Sequence, residues 1–159
     1  MTNRAEPADT ASRSQDGAEA VTVLLLDDHP ALLASLKEAI EADDALTVVA
    51  TAGRIRDAIG LAVATQPRVA VIDVNMPDGG GWAAARGLRE VCPDIRLVAF
   101  SAFDEPLVTR TMAAEGVSAF VSKGSDIEVL LVAIRGENLQ PSASEPTPLM
   151  RRMTVAAPR

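Results

Sequence analysis

Five short apolar runs, each followed by a stretch of helical periodicity, constrain this chain more than anything else in it. The runs are Val21–Leu26, Leu46–Ala50, Val69–Ile72, Leu97–Phe100 and Ala119–Val121. Their length and aliphatic, β-branched character suit parallel strands covered on both faces better than half-exposed antiparallel ones. Between them, apolar residues recur at the spacing of one helix face: Leu33, Leu36, Ile40; Ile55, Ala58, Ile59, Ala62; Ala84, Leu88, Val91; and Ile127, Leu130, Leu131, Ile134. Glu105–Glu115 is less amphipathic, with Val108 and Met112 as its inward pair. Pro30 and Pro106 stand where helices should begin, and Pro67, Pro93 and Gly116 where they should end. Ser125 with Glu128 predicts a capping box on the last helix.

Five βα units in a row predict an α/β domain: a doubly wound, five-stranded parallel sheet with helices on both faces, right-handed crossovers and strand order 2-1-3-4-5. A chain of 159 residues holds one such domain. Its core must be aliphatic, because 48% of residues are hydrophobic but only 3% aromatic. The predicted boundaries are a flexible polar arm over residues 1–20, the domain over 21–136, and a disordered, proline-rich tail over 137–159. The arm lacks the apolar core of a secretory signal, and no run approaches the roughly 18–20 apolar residues of a membrane span. One cysteine, Cys92, excludes an internal disulfide and suits a reducing, cytoplasmic compartment, with Cys92 as filler at a helix end. The net charge of −7 would repel a phosphate backbone, so the domain is not expected to bind nucleic acid.

In doubly wound sheets the ligand site lies outside the carboxyl ends of the strands, beside the switch point between the first and third. The first strand delivers Asp27 and Asp28 there, the third Asp73, the fourth Ser101, and the fifth Ser122 and Lys123. Three neighbouring carboxylates repel one another and need compensation. A hard divalent cation with oxygen ligands, Mg2+ above all, would supply it, as would the Lys123 ammonium. Carboxylate nucleophile, metal, lysine and hydroxyl are the parts of a phosphoryl-transfer site. A lone aspartate at a strand end reads as a helix cap; it is the four charged residues together that carry the chemical reading. Gly79, Gly80 and Gly81 lack the Lys-Ser/Thr of a phosphate-binding P-loop and read as a tight turn. His29 reads as the residue opening the first helix rather than a ligand, and Trp82 as a partly buried residue at the start of the third.

The segments VLLLDDHP, VIDVNMPDGGG, LVAFSA and AFVSKG resemble, in order and spacing, the receiver domain of two-component response regulators over about Val21 to Arg135. DDHP and FVSKG are most similar to receivers that usually precede a helix-turn-helix output domain. The resemblance implies a flavodoxin-like receiver fold with Asp73 as phosphoacceptor and metal ligand. It also implies Asp28 as a direct metal ligand, Asp27 as its acidic companion, and the backbone carbonyl of Asn75 as a further ligand. Ser101 would hydrogen-bond the phosphoryl group, Lys123 would pair with it, Phe120 matches the aromatic switch position, and the small Ala102 leaves a donor room to approach. Gly124 departs from the proline many receivers carry after the lysine, which removes the ground for a cis peptide there.

The implied protein is a switch, not an enzyme. Its cofactor would be Mg2+ or Mn2+, and its phosphodonor a sensor histidine kinase or phosphotransfer protein. The face of the fourth helix, fifth strand and fifth helix would change shape for a downstream effector protein or a homodimer. Only 24 residues follow Arg135, too few for a three-helix core. The expectation is therefore a stand-alone cytoplasmic receiver working through protein contacts without direct DNA binding. The alternatives are a truncated transcriptional regulator or a receiver-like module that takes no phosphate. A phosphatase with an aspartate nucleophile would want a second aspartate two residues on, where Asn75 stands.

Overall fold

The computed structural model describes residues 19–102 and 106–137. The predicted arm and tail lie almost wholly outside the described residues. The elements alternate strictly: β1 (Val21–Leu26), α1 (Pro30–Glu41), β2 (Leu46–Ala52), α2 (Ile55–Thr65), β3 (Val69–Asp73), α3 (Gly80–Val91), β4 (Arg96–Ser101), α4 (Pro106–Ala114), β5 (Val117–Ser122) and α5 (Ile127–Arg135). All strand pairs are parallel and the order is β2-β1-β3-β4-β5, as the sequence predicts. No described helix is long and apolar enough to cross a membrane.

The period-two geometry of a strand sends alternate residues to opposite faces, and β1 shows both. Leu24 and Leu26 pack with Ala58 and Ala62 of α2, Ala84, Ala85 and Leu88 of α3, and Met112 of α4. Val23 and Leu25 pack on the other side with Leu36 and Ile40 of α1 and Leu130 and Ile134 of α5. Those four β1 residues are buried almost completely, so both faces of the strand are covered. Each buried Leu or Ile contributes roughly 1.5–3 kcal/mol, while the alanines of α2 and α3 let those helices sit close to the sheet and each other. Apart from Phe100 and the half-buried Phe120, this core carries no aromatic ring among the described residues, in keeping with the composition.

The strands run one or two residues further than the apolar runs at several ends. Ladder pairing depends on backbone and not on side-chain polarity, so Asp73 still pairs with Phe100 and Ser101 with Ser122. Helix starts at Pro30 and Pro106 and stops near Pro67, Pro93 and Gly116 are as expected. One cap differs. The N-cap of α5 is Asp126, whose side chain accepts a hydrogen bond from the Glu128 amide at 3.1 Å. The Ser125–Glu128 capping box does not form, because Ser125 lies in the turn after β5, its amide donating to the Ser122 carbonyl at 3.0 Å. In α4 only Met112 is buried, and Val108 packs at the margin of the core.

Candidate functional site

The strand order places the end of β1 between the ends of β2 and β3, and the acids follow from that. The Asp27 amide donates to the Ala52 carbonyl at 3.1 Å, which holds the residue in sheet-like position beyond β1. Asp27 and Asp73 are buried, whereas Asp28 is exposed. One side-chain donor atom each from Asp27, Asp28, His29 and Asp73 lies within 4.8 Å of every other. At about 4 Å, two like charges near a protein surface repel by about 4 kcal/mol, so the cluster must hold counter-charge.

Lys123 supplies part of it. Its Nζ donates to Asp27 Oδ2 at 2.6 Å and stands 3.3 Å from Asp73 Oδ2. Its amide donates to the Ser101 carbonyl at 2.7 Å, which fixes the chain after β5 against the end of β4. The ammonium also lies 5.8 Å from the centroid of the Phe100 ring, a favourable cation–π placement. Burial by itself would push the Asp27 carboxyl up. Hydrogen bonds from Lys123, from the His29 amide and from the His29 ring outweigh it and hold Asp27 below the usual carboxylate range.

His29 takes a place the sequence does not reveal. It opens α1, as expected, without a side-chain cap. Its ring Nδ1 also sits 3.0 Å from Asp27 Oδ1 and 2.9 Å from Asp28 Oδ1. Its neighbours in the cluster are carboxylate oxygens, the donor set of a hard cation; Mg2+ keeps few carboxylates and several waters, and this set fits it. An imidazole nitrogen is a poor partner for such an ion, so His29 borders the set rather than completing it.

The other expected residues distribute as follows. The Asn75 amide donates to Asp73 Oδ1 at 3.1 Å, orienting the carboxylate, and the residue is exposed at the mouth of the site. Ser101 is buried at the end of β4, and Ala102 is exposed beside it. Phe120 is half-buried and packs against the core on the α2–α3 side. Ser122 serves the turn, its Oγ accepting from the Gly124 amide at 3.3 Å. Two supporting residues carry no sequence signal of their role. Asp78 Oδ2 accepts the Ile55 amide at 2.9 Å, tying the loop after β3 to the start of α2. Gly81 brings α3 so close that a Cβ there would lie 2.9 Å from the Asp73 carbonyl oxygen. The turn before it runs through Gly79 (φ 133°) and Gly80 (φ 76°), conformations that favour glycine.

Comparison with known proteins agrees with this architecture. The family model described as the response regulator receiver domain matches residues 23–135. The DNA-binding transcriptional activator DevR/DosR of Mycobacterium tuberculosis is 36% identical over 105 residues, covering 65% of this chain and 48% of that protein. The nitrate/nitrite response regulator protein NarL of Escherichia coli is 33% identical over 116 residues, covering 73% of this chain and 54% of its own length. The chain thus spans about half the length of the curated relatives it matches. The signal receiver domain of the putative response regulator NarL from Mycobacterium tuberculosis superimposes with a TM-score of 0.67 at 29% identity, over 74% of this chain and 98% of that one. With the β2-β1-β3-β4-β5 sheet, the acidic cluster at its switch point and a family match over most of its length, the chain belongs to the response regulator receiver domains of two-component systems.

Proposed function

We propose that Asp73 accepts a phosphoryl group from a phosphohistidine donor, a sensor histidine kinase or phosphotransfer protein, with Mg2+ bound at the acidic cluster. The observation that carries this is the buried Asp73 carboxylate, grouped with those of Asp27 and Asp28 and facing the Lys123 ammonium at 3.3 Å. Asp27, Asp28, Asp73 and the Asn75 backbone carbonyl would hold the ion, which when bound neutralises charge on the phosphoryl oxygens. An Asp73 Oδ attacks phosphorus, the N–P bond of the donor breaks, and the imidazole departs with the bonding electron pair. Ala102 leaves the donor room, while Ser101 and Lys123 take the phosphoryl oxygens. Phe120 then repacks, and the α4–β5–α5 face changes shape for an effector protein or a second copy.

The protein is itself the modified product, so it acts as a switch in the cytoplasm, where the kinase's phosphohistidine is formed, rather than as an enzyme with turnover. The receiver itself does not contact DNA in this reading, because an acidic surface repels the phosphate backbone. A mobility shift of promoter DNA by residues 19–137 at moderate salt would refute that part. Trp82 and Asn75 line one cavity of about 280 Å³ between α3 and α4, so Trp82 emission reports on the mouth of the site. With Mg2+ and beryllofluoride, the wild type should change its Trp82 emission and Asp73→Ala should not. An equal response in both proteins would refute Asp73 as the acceptor.

A further inference from the structure

The acidic site opens on one side into a shallow cavity of about 780 Å³. Asp28 bounds it at the site, Arg54, Arg56 and Asp57 at the start of α2, and Pro77 and Asp78 in the loop after β3. Its two arginines are exposed, and among the described residues neither forms an ion pair. Elsewhere on this surface guanidinium groups do find carboxylates: Arg86 Nε lies 3.8 Å from Glu115, and Arg135 pairs with Asp43. Three acids share the cavity with them, Asp28, Asp57 and Asp78, and none forms an ion pair with either arginine among the described residues. Asp78 is hydrogen-bonded to the Ile55 amide, and Asp28 belongs to the cation cluster. The two guanidinium groups therefore stand on the rim without an ion-pair partner, offsetting the charge of Asp57 and Asp78 there.

Those groups border the cavity that reaches the acidic cluster at Asp28. A phosphoryl group reaches Asp73 as a dianion, against a chain whose net charge is −7. With a divalent ion bound, the three carboxylates and Lys123 balance to neutrality and exert no long-range pull. Paired guanidinium forks suit phosphoryl oxygens, and guanidinium charge beside a cleft raises the local concentration of anions there.

We propose that Arg54 and Arg56 form a capture site for the phosphoryl group of the donor, holding it on the path to Asp73 before transfer. The inference rests on the reading of Asp73 as acceptor. The arginines make and break no bond; they set the donor concentration needed for half-maximal rate and leave the limiting rate to the cluster itself.

The test uses the full chain with Mg2+ and two small donors, acetyl phosphate and phosphoimidazole. Labelling of Asp73 is followed by intact mass in the wild type and in Arg54→Gln/Arg56→Gln. At low salt the variant should need about tenfold more of either donor for half-maximal rate, with the limiting rate unchanged. Its affinity for beryllofluoride, which reads the finished site, should match the wild type and shows that the variant is folded. The deficit should close in 1 M salt, where the Debye length falls to about 3 Å. A variant that matches the wild type at low salt overturns the capture site, and so does a loss confined to the limiting rate. A deficit with acetyl phosphate alone also overturns it, by showing that the acyl leaving group is what is read. A wild type that takes no phosphoryl group from either donor overturns the reading of Asp73 first, and this inference with it.

Discussion

Two glycine-to-alanine substitutions, made in two helices of the same sheet layer, should move stability in opposite directions. Gly60 lies on the exposed side of α2, and a Cβ built there meets nothing within 4 Å. Alanine removes backbone freedom from the unfolded chain at no steric cost, so Gly60→Ala should stabilise by about 0.5–1 kcal/mol. Gly81 is in the first turn of α3, its amide donating to the Val74 carbonyl at 2.9 Å. A Cβ there would stand 2.9 Å from both the Asp73 carbonyl oxygen and Val74 Cα, and 3.0 Å from Met112 Cε. The methionine tip can swing aside, but the two backbone atoms yield only if the end of β3 moves. Overpacking of this kind costs about 1–3 kcal/mol. Set against the helical gain, the net loss for Gly81→Ala is about 1–2 kcal/mol. For a domain of this size that is a drop of about 4–8 °C in Tm, against a rise of about 2–4 °C for Gly60→Ala. Urea unfolding followed by far-UV circular dichroism without metal measures both. Because the displaced backbone carries Asp73, beryllofluoride affinity should also fall by about tenfold or more in Gly81→Ala alone. If both variants shift stability in the same direction, the close approach of α3 to the end of β3 is not what fixes residue 81.

Removing the ammonium in Lys123→Met leaves Asp27 and Asp73 buried without their cation. Metal-free stability should drop by about 2–3 kcal/mol, below the figure for a fully buried pair because Lys123 is partly open to water. Mg2+ should recover part of the loss, and a metal-free stability equal to wild type would refute the pairing. Asp43 is held below the usual carboxylate range, chiefly by its hydrogen bonds from Arg135. Its folded pKa is depressed, so on acidification the unfolded chain takes the proton first, and the stabilisation is complete above about pH 4 and lost as pH falls through the folded value. The Tm gap between wild type and Asp43→Asn should therefore be present at pH 7 and vanish in strong acid; a gap that persists there would mean packing rather than charge. Asp126→Ala should cost about 1 kcal/mol through loss of the α5 cap, while Ser125→Ala should stay within about 0.5 kcal/mol. Thermal melts of the two separate the caps, and the reverse order would restore the capping box.

What the sequence makes legible is what burial dictates. Val23–Leu26 and Val69–Ile72 can be read as strands because both their faces are covered, and the helix faces of α2 and α5 because their apolar residues recur every three or four positions. Asp27, Asp28, Asp73 and Lys123 stand out because a charged residue directly after a buried run has few places to go except the sheet's carboxyl edge. Choices between near-equivalent neighbours are not legible. Ser125 and Asp126 are both good caps, and only the turn hydrogen bond to Ser122 decides between them. Pairings that bridge the chain are equally hidden: Asp78 to Ile55, Asp43 to Arg135, and Arg89 Nη2 to the Gly116 carbonyl at 2.7 Å. Each depends on where two packed elements finish, which no local pattern encodes. His29 was legible as a helix opener, but the direction of its ring is set by the backbone turn after β1.

Lys123 leaves from β5 at the outer rim of the sheet, yet its tip grips Asp27 beside β1, reaching over the ends of the two strands between. One flexible arm thus tethers the rim to the middle. Whatever draws that tip toward Asp73 must slacken its hold on Asp27, so an event at the middle of the sheet can be felt at its rim in a single hop.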